Sequence, residues 1–138
     1  DGESEFKGLE VESTYKFEMI NLDLTANYTY LFEAKKEDGS DLIRRPKDTL
    51  NLSANYYTDS SSYGISVNYV GDRTDLDSTW SEVSTGNYSV WNLNYMRELT
   101  ENFKLTLNAR NIFDKEYQSS YGYATEGRSL YAKVKYSF

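Results

Sequence analysis

The chain has no histidine and no cysteine, one proline, and no long apolar run. Without imidazole it lacks the usual general base of hydrolytic sites and the commonest transition-metal ligand. Without thiols it can form neither disulfides nor thiolate metal sites. No stretch approaches the roughly 18 apolar residues that a membrane-crossing helix needs. A membrane-crossing sheet stays open, because strands with one lipid-facing and one water-facing side have a low mean hydropathy. No leader peptide is legible at Asp1, so the chain reads as a mature protein or a fragment. Positive charge is also scarce: 15 Lys and Arg against 22 Asp and Glu give a net charge of -7, which argues against nucleic acid as a partner.

Aromatic residues are plentiful. They make up 16% of the 138 residues, and 14 of them are Tyr. Disordered chains are poor in aromatics, so one folded domain over 1–138 is expected despite the many charges. Tyr, Thr, Val and Phe favour strands.

The last twelve residues, 127–138, show the design most plainly. Leu130, Ala132, Val134, Tyr136 and Phe138 alternate with Ser129, Tyr131, Lys133, Lys135 and Ser137, a period of two that only an extended strand sorts into two faces. Six earlier segments repeat it, over about 5–17, 22–34, 48–58, 63–71, 88–99 and 103–110. In the second, Leu22, Leu24, Ala26, Tyr28, Tyr30 and Phe32 oppose Asp23, Thr25, Asn27 and Thr29. Connections alternate in length, short at 18–21, 59–62 and 100–102 and long at 35–47, 72–87 and 115–126. Short turns on one side and long loops on the other describe an outer-membrane barrel with periplasmic turns and extracellular loops. The expected fold is therefore all-β: an antiparallel transmembrane β-barrel segment of about seven strands. A soluble sandwich or lipocalin-like barrel alternates too, but polar faces rich in Asn, Ser and Thr suit a water-filled lumen better. Tyr15, Phe17, Tyr56, Tyr69, Trp91, Phe103, Tyr136 and Phe138 would form the interfacial girdles, and Arg97 would reach the headgroups.

Chemistry-bearing residues are weighed against blander roles. The run Asp72-Arg73-Thr74-Asp75-Leu76-Asp77 spaces carboxylates like part of a calcium loop but lacks its glycine and distal Glu. Solvated loop carboxylates are the better reading for Glu37, Asp38, Asp41, Asp75, Asp77 and Glu82, so no metal site is assigned. No carboxylate pair is marked out for acid–base work, and no enzyme activity is expected. Tyr121, Tyr123 and Arg128 in the last long loop, Trp80 in the middle one and Arg44 before the third strand are the candidate ligand contacts. Tyr and Trp offer flat apolar area with a polar tip; loop packing is the alternative for each. Lys104, Arg110, Lys133 and Lys135 make one lumen wall basic, while Glu10, Glu12 and Asp23 make the opposite end acidic.

Four segments also carry a family resemblance. Asn111-Ile112-Phe113-Asp114-Lys115-Glu116-Tyr117 resembles the NxFDKxY signature near the end of TonB-dependent outer-membrane receptors. Gly122-Tyr123-Ala124-Thr125-Glu126-Gly127-Arg128 resembles their GYxTxGR segment, Arg44-Arg45-Pro46-Lys47 their RRPK element, and Tyr69-Val70-Gly71-Asp72-Arg73 their YVGxR. The resemblance implies the C-terminal barrel part of a receptor of the bacterial outer membrane. Such receptors have about 22 strands and a plugged lumen, and they import a metal chelate such as cobalamin or a ferric siderophore. It implies no resident cofactor. As partners it implies outer-membrane lipid and lipopolysaccharide, the remaining strands and a plug domain, the inner-membrane TonB complex acting through that plug, and the barrel-assembly machinery. Tyr136 and Phe138 then resemble the C-terminal assembly signal. Neither plug nor TonB box is found in these residues, so the segment alone is not expected to transport. Closing seven strands on themselves would need a parallel seam. The alternative function is a small or multi-chain outer-membrane barrel with an anchoring, structural role and no active transport.

Overall fold

A computed structural model describes residues 4–36, 46–120 and 122–138, with side chains for all of these except 4–6, 33–36, 119–120 and 123–124. Seven long strands form one antiparallel sheet: β1 (Ser4–Phe17), β2 (Leu22–Lys36), β3 (Asp48–Tyr57), β4 (Ser61–Val70), β7 (Tyr88–Glu98), β8 (Phe103–Arg110) and β11 (Ser129–Tyr136). They lie side by side in that order, each beside its chain neighbour among the long strands, which leaves β1 and β11 as the two edges. The alternation of the sequence sets the register. Leu24, Ala54 and Ile65 fall opposite one another across β2, β3 and β4, and Ile65 continues to Leu93 of β7 and Ala109 of β8.

Few apolar side chains are hidden. Among the described residues Val90 is the one buried hydrophobic, while Leu9, Val11, Tyr15, Leu24, Leu52, Ile65, Leu93, Leu107 and Val134 are exposed. These share one face of the sheet. Soluble proteins rarely leave contiguous apolar patches beyond a few hundred Å² open to water, and each such half-exposed side chain would forfeit about 1 kcal/mol or more there. Hydrocarbon removes that cost. The other face repeats mostly polar residues in transverse rows, such as Lys16, Asp23, Asn55, Gly64, Asn94, Asn108 and Tyr131. An apolar outside with a polar inside is the reverse of a soluble β-barrel.

The expected faces hold, and several boundaries shift. The fourth strand starts at Ser61, so Ser61 and Ser62 belong to the ladder instead of the turn: Thr58 N–H donates to the Ser61 carbonyl at 2.8 Å and its Oγ1 accepts from Ser61 N–H at 3.1 Å. Pairing of β1 with β2 slips at Lys7/Gly8, skipping Phe32. The middle loop contains a hairpin, β5 (Thr74–Leu76) with β6 (Glu82–Ser84), and the last one β9 (Gln118–Ser120) with β10 (Tyr123–Ala124). The short turns are stitched to the next long strand. Tyr57 N–H donates to Asn21 O, Glu98 N–H to Ser60 O and Ser137 N–H to Asn102 O, at 2.8–2.9 Å. Among the described residues no helix is long and apolar enough to cross a membrane.

Candidate functional site at the loop rim

Of the buried polar residues described, Ser61 belongs to a short turn, whereas Arg73, Asp75 and Asn111 sit at the long-loop end of the sheet and come from segments singled out in the sequence. After β4, Gly71 N–H donates to the Asp48 carbonyl at 2.8 Å, and Lys47 N–H lies 3.4 Å from the Asp72 carbonyl. The Asp48 carboxylate lies directly over Gly71: a Cβ there would come within 2.0 Å of Oδ1. The glycine of the Tyr-Val-Gly-Asp-Arg run is thus the residue that lets the segment before β3 close on the segment after β4.

Arg73, 8% exposed, is the centre of the rim. Its Nε donates to Thr85 Oγ1 at 3.2 Å, its Nη2 donates to the Gln118 carbonyl, and its guanidinium lies 5.7 Å from the centre of the Tyr88 ring. Tyr88 in turn stacks on Tyr117 at 4.5 Å. One arginine therefore ties the β5–β6 hairpin to the last long loop. Asp75 beside it is 1% exposed, and its Oδ1 accepts from Leu76 N–H at 2.8 Å. The expectation that Asp75 is a solvated loop carboxylate is therefore wrong: the residue is buried.

Asn111 does the same for the loop's root. Only 3% exposed and left-handed at φ 51°, it receives Lys115 N–H on Oδ1 at 2.8 Å. Its Nδ2 donates to the carbonyls of Lys115 at 3.0 Å and Glu126 at 3.5 Å, while its own N–H donates to Asn92 Oδ1 at 3.1 Å. Asp114, also left-handed, accepts Arg128 N–H at 2.9 Å. Asn tolerates this backbone better than most residues because its short side chain bonds locally, which is why it stands where β8 ends.

Among the expected ligand contacts, Arg44 and Tyr121 lie outside the described residues, as do the loop carboxylates Glu37, Asp38 and Asp41. Tyr123 is placed by its backbone in β10. Arg128 is exposed, and its backbone belongs to the Asp114 clasp. Trp80 stands apart from the fasteners. It is 82% exposed and left-handed at φ 62°, an unusual backbone for a bulky side chain. Asp77 holds the turn beneath it: Oδ1 accepts from Thr79 Oγ1 at 2.7 Å, Thr79 N–H at 2.8 Å and Ser81 N–H at 3.0 Å. These bonds, the Thr79 hydroxyl first, keep the Asp77 carboxyl below the usual carboxylate range. The hairpin tip is built to carry an exposed indole. Tyr136 packs on Phe103 and Phe138 with ring centres 4.8 Å apart in each case.

Behind the rim, the polar face lines a groove of about 690 Å³ bounded by Asn55, Asn68, Asn92, Asn94, Asn108 and Arg110, with other short side chains between them. Gly64 makes room in it: a Cβ would stand 1.8 Å from Asn94 Oδ1 and 2.8 Å from Asn55 Oδ1. Arg110 lies over the Tyr131 ring at 5.2 Å, and the Tyr131 hydroxyl donates to Glu126 at 3.0 Å. Lys104 and Lys135 are direct cross-strand partners, a like-charge pairing that costs stability unless an anion meets it. Among the described residues there is no cluster of potential ligands fit to hold a metal ion.

Known proteins share this layout. The chain superposes on the ferric enterobactin receptor PfeA of Pseudomonas aeruginosa with a TM-score of 0.81 at 23% identity, covering 96% of this chain and 22% of that one. For the siderophore receptor PirA of Acinetobacter baumannii the values are 0.83, 22%, 96% and 22%. For the ferric-catecholate import receptor Fiu of E. coli they are 0.80, 23%, 99% and 21%. The chain thus spans about a fifth of the length of these receptors. A model of the TonB dependent receptor-like β-barrel matches residues 2–112. That match takes in six of the seven long strands, and the chain belongs to the TonB-dependent receptor β-barrel family of the bacterial outer membrane.

Proposed function

We propose that this chain supplies barrel wall, capture loops and assembly signal to an outer-membrane receptor that imports a metal chelate, either cobalamin or a ferric siderophore. The observation that carries the reading is the division of labour at the rim. Arg73, Asn111 and Asp114 spend their polar groups on fastening loops, whereas Trp80 is held clear of them on a braced tip. A braced, exposed indole suits capture of a large, partly polar ligand, because little side-chain freedom is lost on contact. Tyr121, Tyr123, Arg128 and Arg44 are assigned to the same role from their place in or beside the loops.

The unpaired edges of β1 and β11 support further strands beside them, since open backbone groups in hydrocarbon cost several kcal/mol each. The basic wall of Lys104, Lys133 and Lys135 is assigned to contact acidic groups of a plug domain or of those strands. Plug retention and uptake unchanged in K133E/K135E would count against that contact. The plug would carry the link to the inner-membrane TonB complex.

Equilibrium binding to the full receptor tests the reading. One chelate class, cobalamin or a ferric siderophore, should bind, and Trp80→Ala should weaken it by about tenfold, near the 1–1.5 kcal/mol of a single aromatic contact. Failure of both classes to bind would overturn it.

A further inference from the structure

The lumen groove behind the rim has a direction and a charge pattern that loop fastening does not explain. It reaches from Tyr117 and Glu126 in the last long loop down to Asn55 and Gly64. Those two lie close to the short turn between the end of β3 at Tyr57 and the start of β4 at Ser61. The groove therefore runs most of the height of the wall. A seat for one docked group would be local, whereas a furrow from loops to turns leads from one side to the other.

Charge is spread unevenly along the sheet. The lumen positions of β1 and β2 carry Glu10, Glu12, Lys16 and Asp23, and those of β8 and β11 carry Lys104, Arg110, Lys133 and Lys135. Between them, the lumen positions of β3 and β4 carry no Asp, Glu, Lys or Arg. On β7 there is Glu98 alone, at the short-turn end opposite Lys104 and below the groove. What β3 and β4 carry instead is in register. Thr25, Ser53 and Ser66 make a hydroxyl row that Asn92 continues, and Asn27, Asn51 and Asn68 make an amide row. The charged residues lining the groove are Arg110 and Glu126, both at its β8 side and both engaged with Tyr131.

The two kinds of wall differ in how they hold a neighbour. Charge pairs taken out of water across an interface are costly to break. Neutral amides and hydroxyls exchange a protein partner for water at little net cost. A conducting surface needs contacts weak enough to be left again.

We propose that the imported chelate descends along the neutral wall of β3, β4 and β7, in the seam between that wall and the plug domain. The inference rests on the import reading and adds which wall is the path. Amide, hydroxyl or carbonyl groups at the edge of the chelate meet Asn68 and Asn51 first, then Ser66 and Ser53, then Asn55. Gly64 keeps the lower end clear, since a side chain there would run into Asn94 and Asn55.

The segment has no cysteine, so Ser53→Cys places one thiol on the wall with little change in size. The full receptor, with any thiol outside this segment replaced, is expressed in cells given labelled cobalamin and a labelled ferric siderophore in turn. During import, Ser53→Cys should react with a bulky maleimide severalfold faster than in cells de-energised by an uncoupler. The adduct should abolish most uptake and leave chelate affinity unchanged. Thr106→Cys, on the basic wall outside the groove, should react alike in both states, and its adduct should leave uptake in place. Heat-modifiable migration verifies insertion, and Ser66→Cys, the register partner, replaces Ser53→Cys if the latter does not insert. Equal reaction at the wall thiol in the two states, uptake untouched by its adduct, or an equal loss from the Thr106→Cys adduct overturns the path and leaves import standing. Failure of wild type to bind either chelate overturns the import reading, and the path with it.

Discussion

The guanidinium of Arg73 donates to the backbone carbonyl of Gln118, 45 residues further along the chain. The contact joins two loops that leave the sheet at different strands, and it is made by a side chain almost wholly out of water. Hydrogen bonds to a charged group contribute about 1.5–3 kcal/mol each. Arg73→Ala should therefore release the last long loop without unfolding the sheet. Hydrogen exchange at residues 117–120 should rise by about tenfold or more while β3 and β4 keep their protection. Uniform loss of protection across the sheet would assign Arg73 to global stability instead.

Asn111 lends itself to separating backbone from side chain. Asn111→Gly keeps the left-handed turn and loses the amide bonds; Asn111→Ala loses both. Each should lower the unfolding free energy read from urea titration of the folded receptor, by about 2–4 kcal/mol for Ala, with Gly milder by about 1 kcal/mol. Equal unfolding free energies for the two variants would mean that backbone strain at φ 51° contributes nothing.

Gly64 is a test of the lumen row. An alanine there meets the Asn94 amide oxygen, and overpacking of this kind costs about 1–3 kcal/mol. Pairing Gly64→Ala with Asn94→Ala should restore most of the loss in denaturant titration. Absence of rescue would place the conflict at Asn55 or in the backbone.

The Trp80 tip should respond to acid. Because hydrogen bonds hold the Asp77 carboxyl below its ordinary value, their contribution is complete above the unfolded carboxylate pKa of about 4. It fades as pH falls through the lower folded value. Indole fluorescence of a variant keeping Trp80 as its reporter should change in that acid range. Asp77→Asn, which retains an acceptor oxygen and cannot titrate, should be flat. A parallel acid response in Asp77→Asn would sink the assignment.

Tyr136 and Phe138 are assigned to assembly, so deleting Phe138 should reduce the amount of inserted receptor more than its affinity for chelate. Normal insertion with lost affinity would refute that role.

The seven long strands and their two faces were legible because a period of two over eight or more residues has no helical counterpart. The small hairpins were not: β5, β6, β9 and β10 have two or three residues each, too few for any period to register. The Phe32 slip and the ladder position of Ser61 lie where turn-forming residue types and strand pairing compete, and pairing with the neighbour decided both. Asp75 was misread because composition places carboxylates in water, whereas a hairpin that bonds one can bury it. The family read from the four segments is the one whose model matches residues 2–112. Their physical role as fasteners was beyond the sequence, since it depends on which loops meet.

Asn111 and Asp114 grip the last long loop where it leaves β8 and where it returns to β11, and they hold it mostly through backbone atoms at positions 115, 126 and 128. What lies between those points is left unspecified by the clasp. Such a socket leaves the length and chemistry of the intervening stretch open, so the loop's tip can vary while the sheet that carries it is inherited intact.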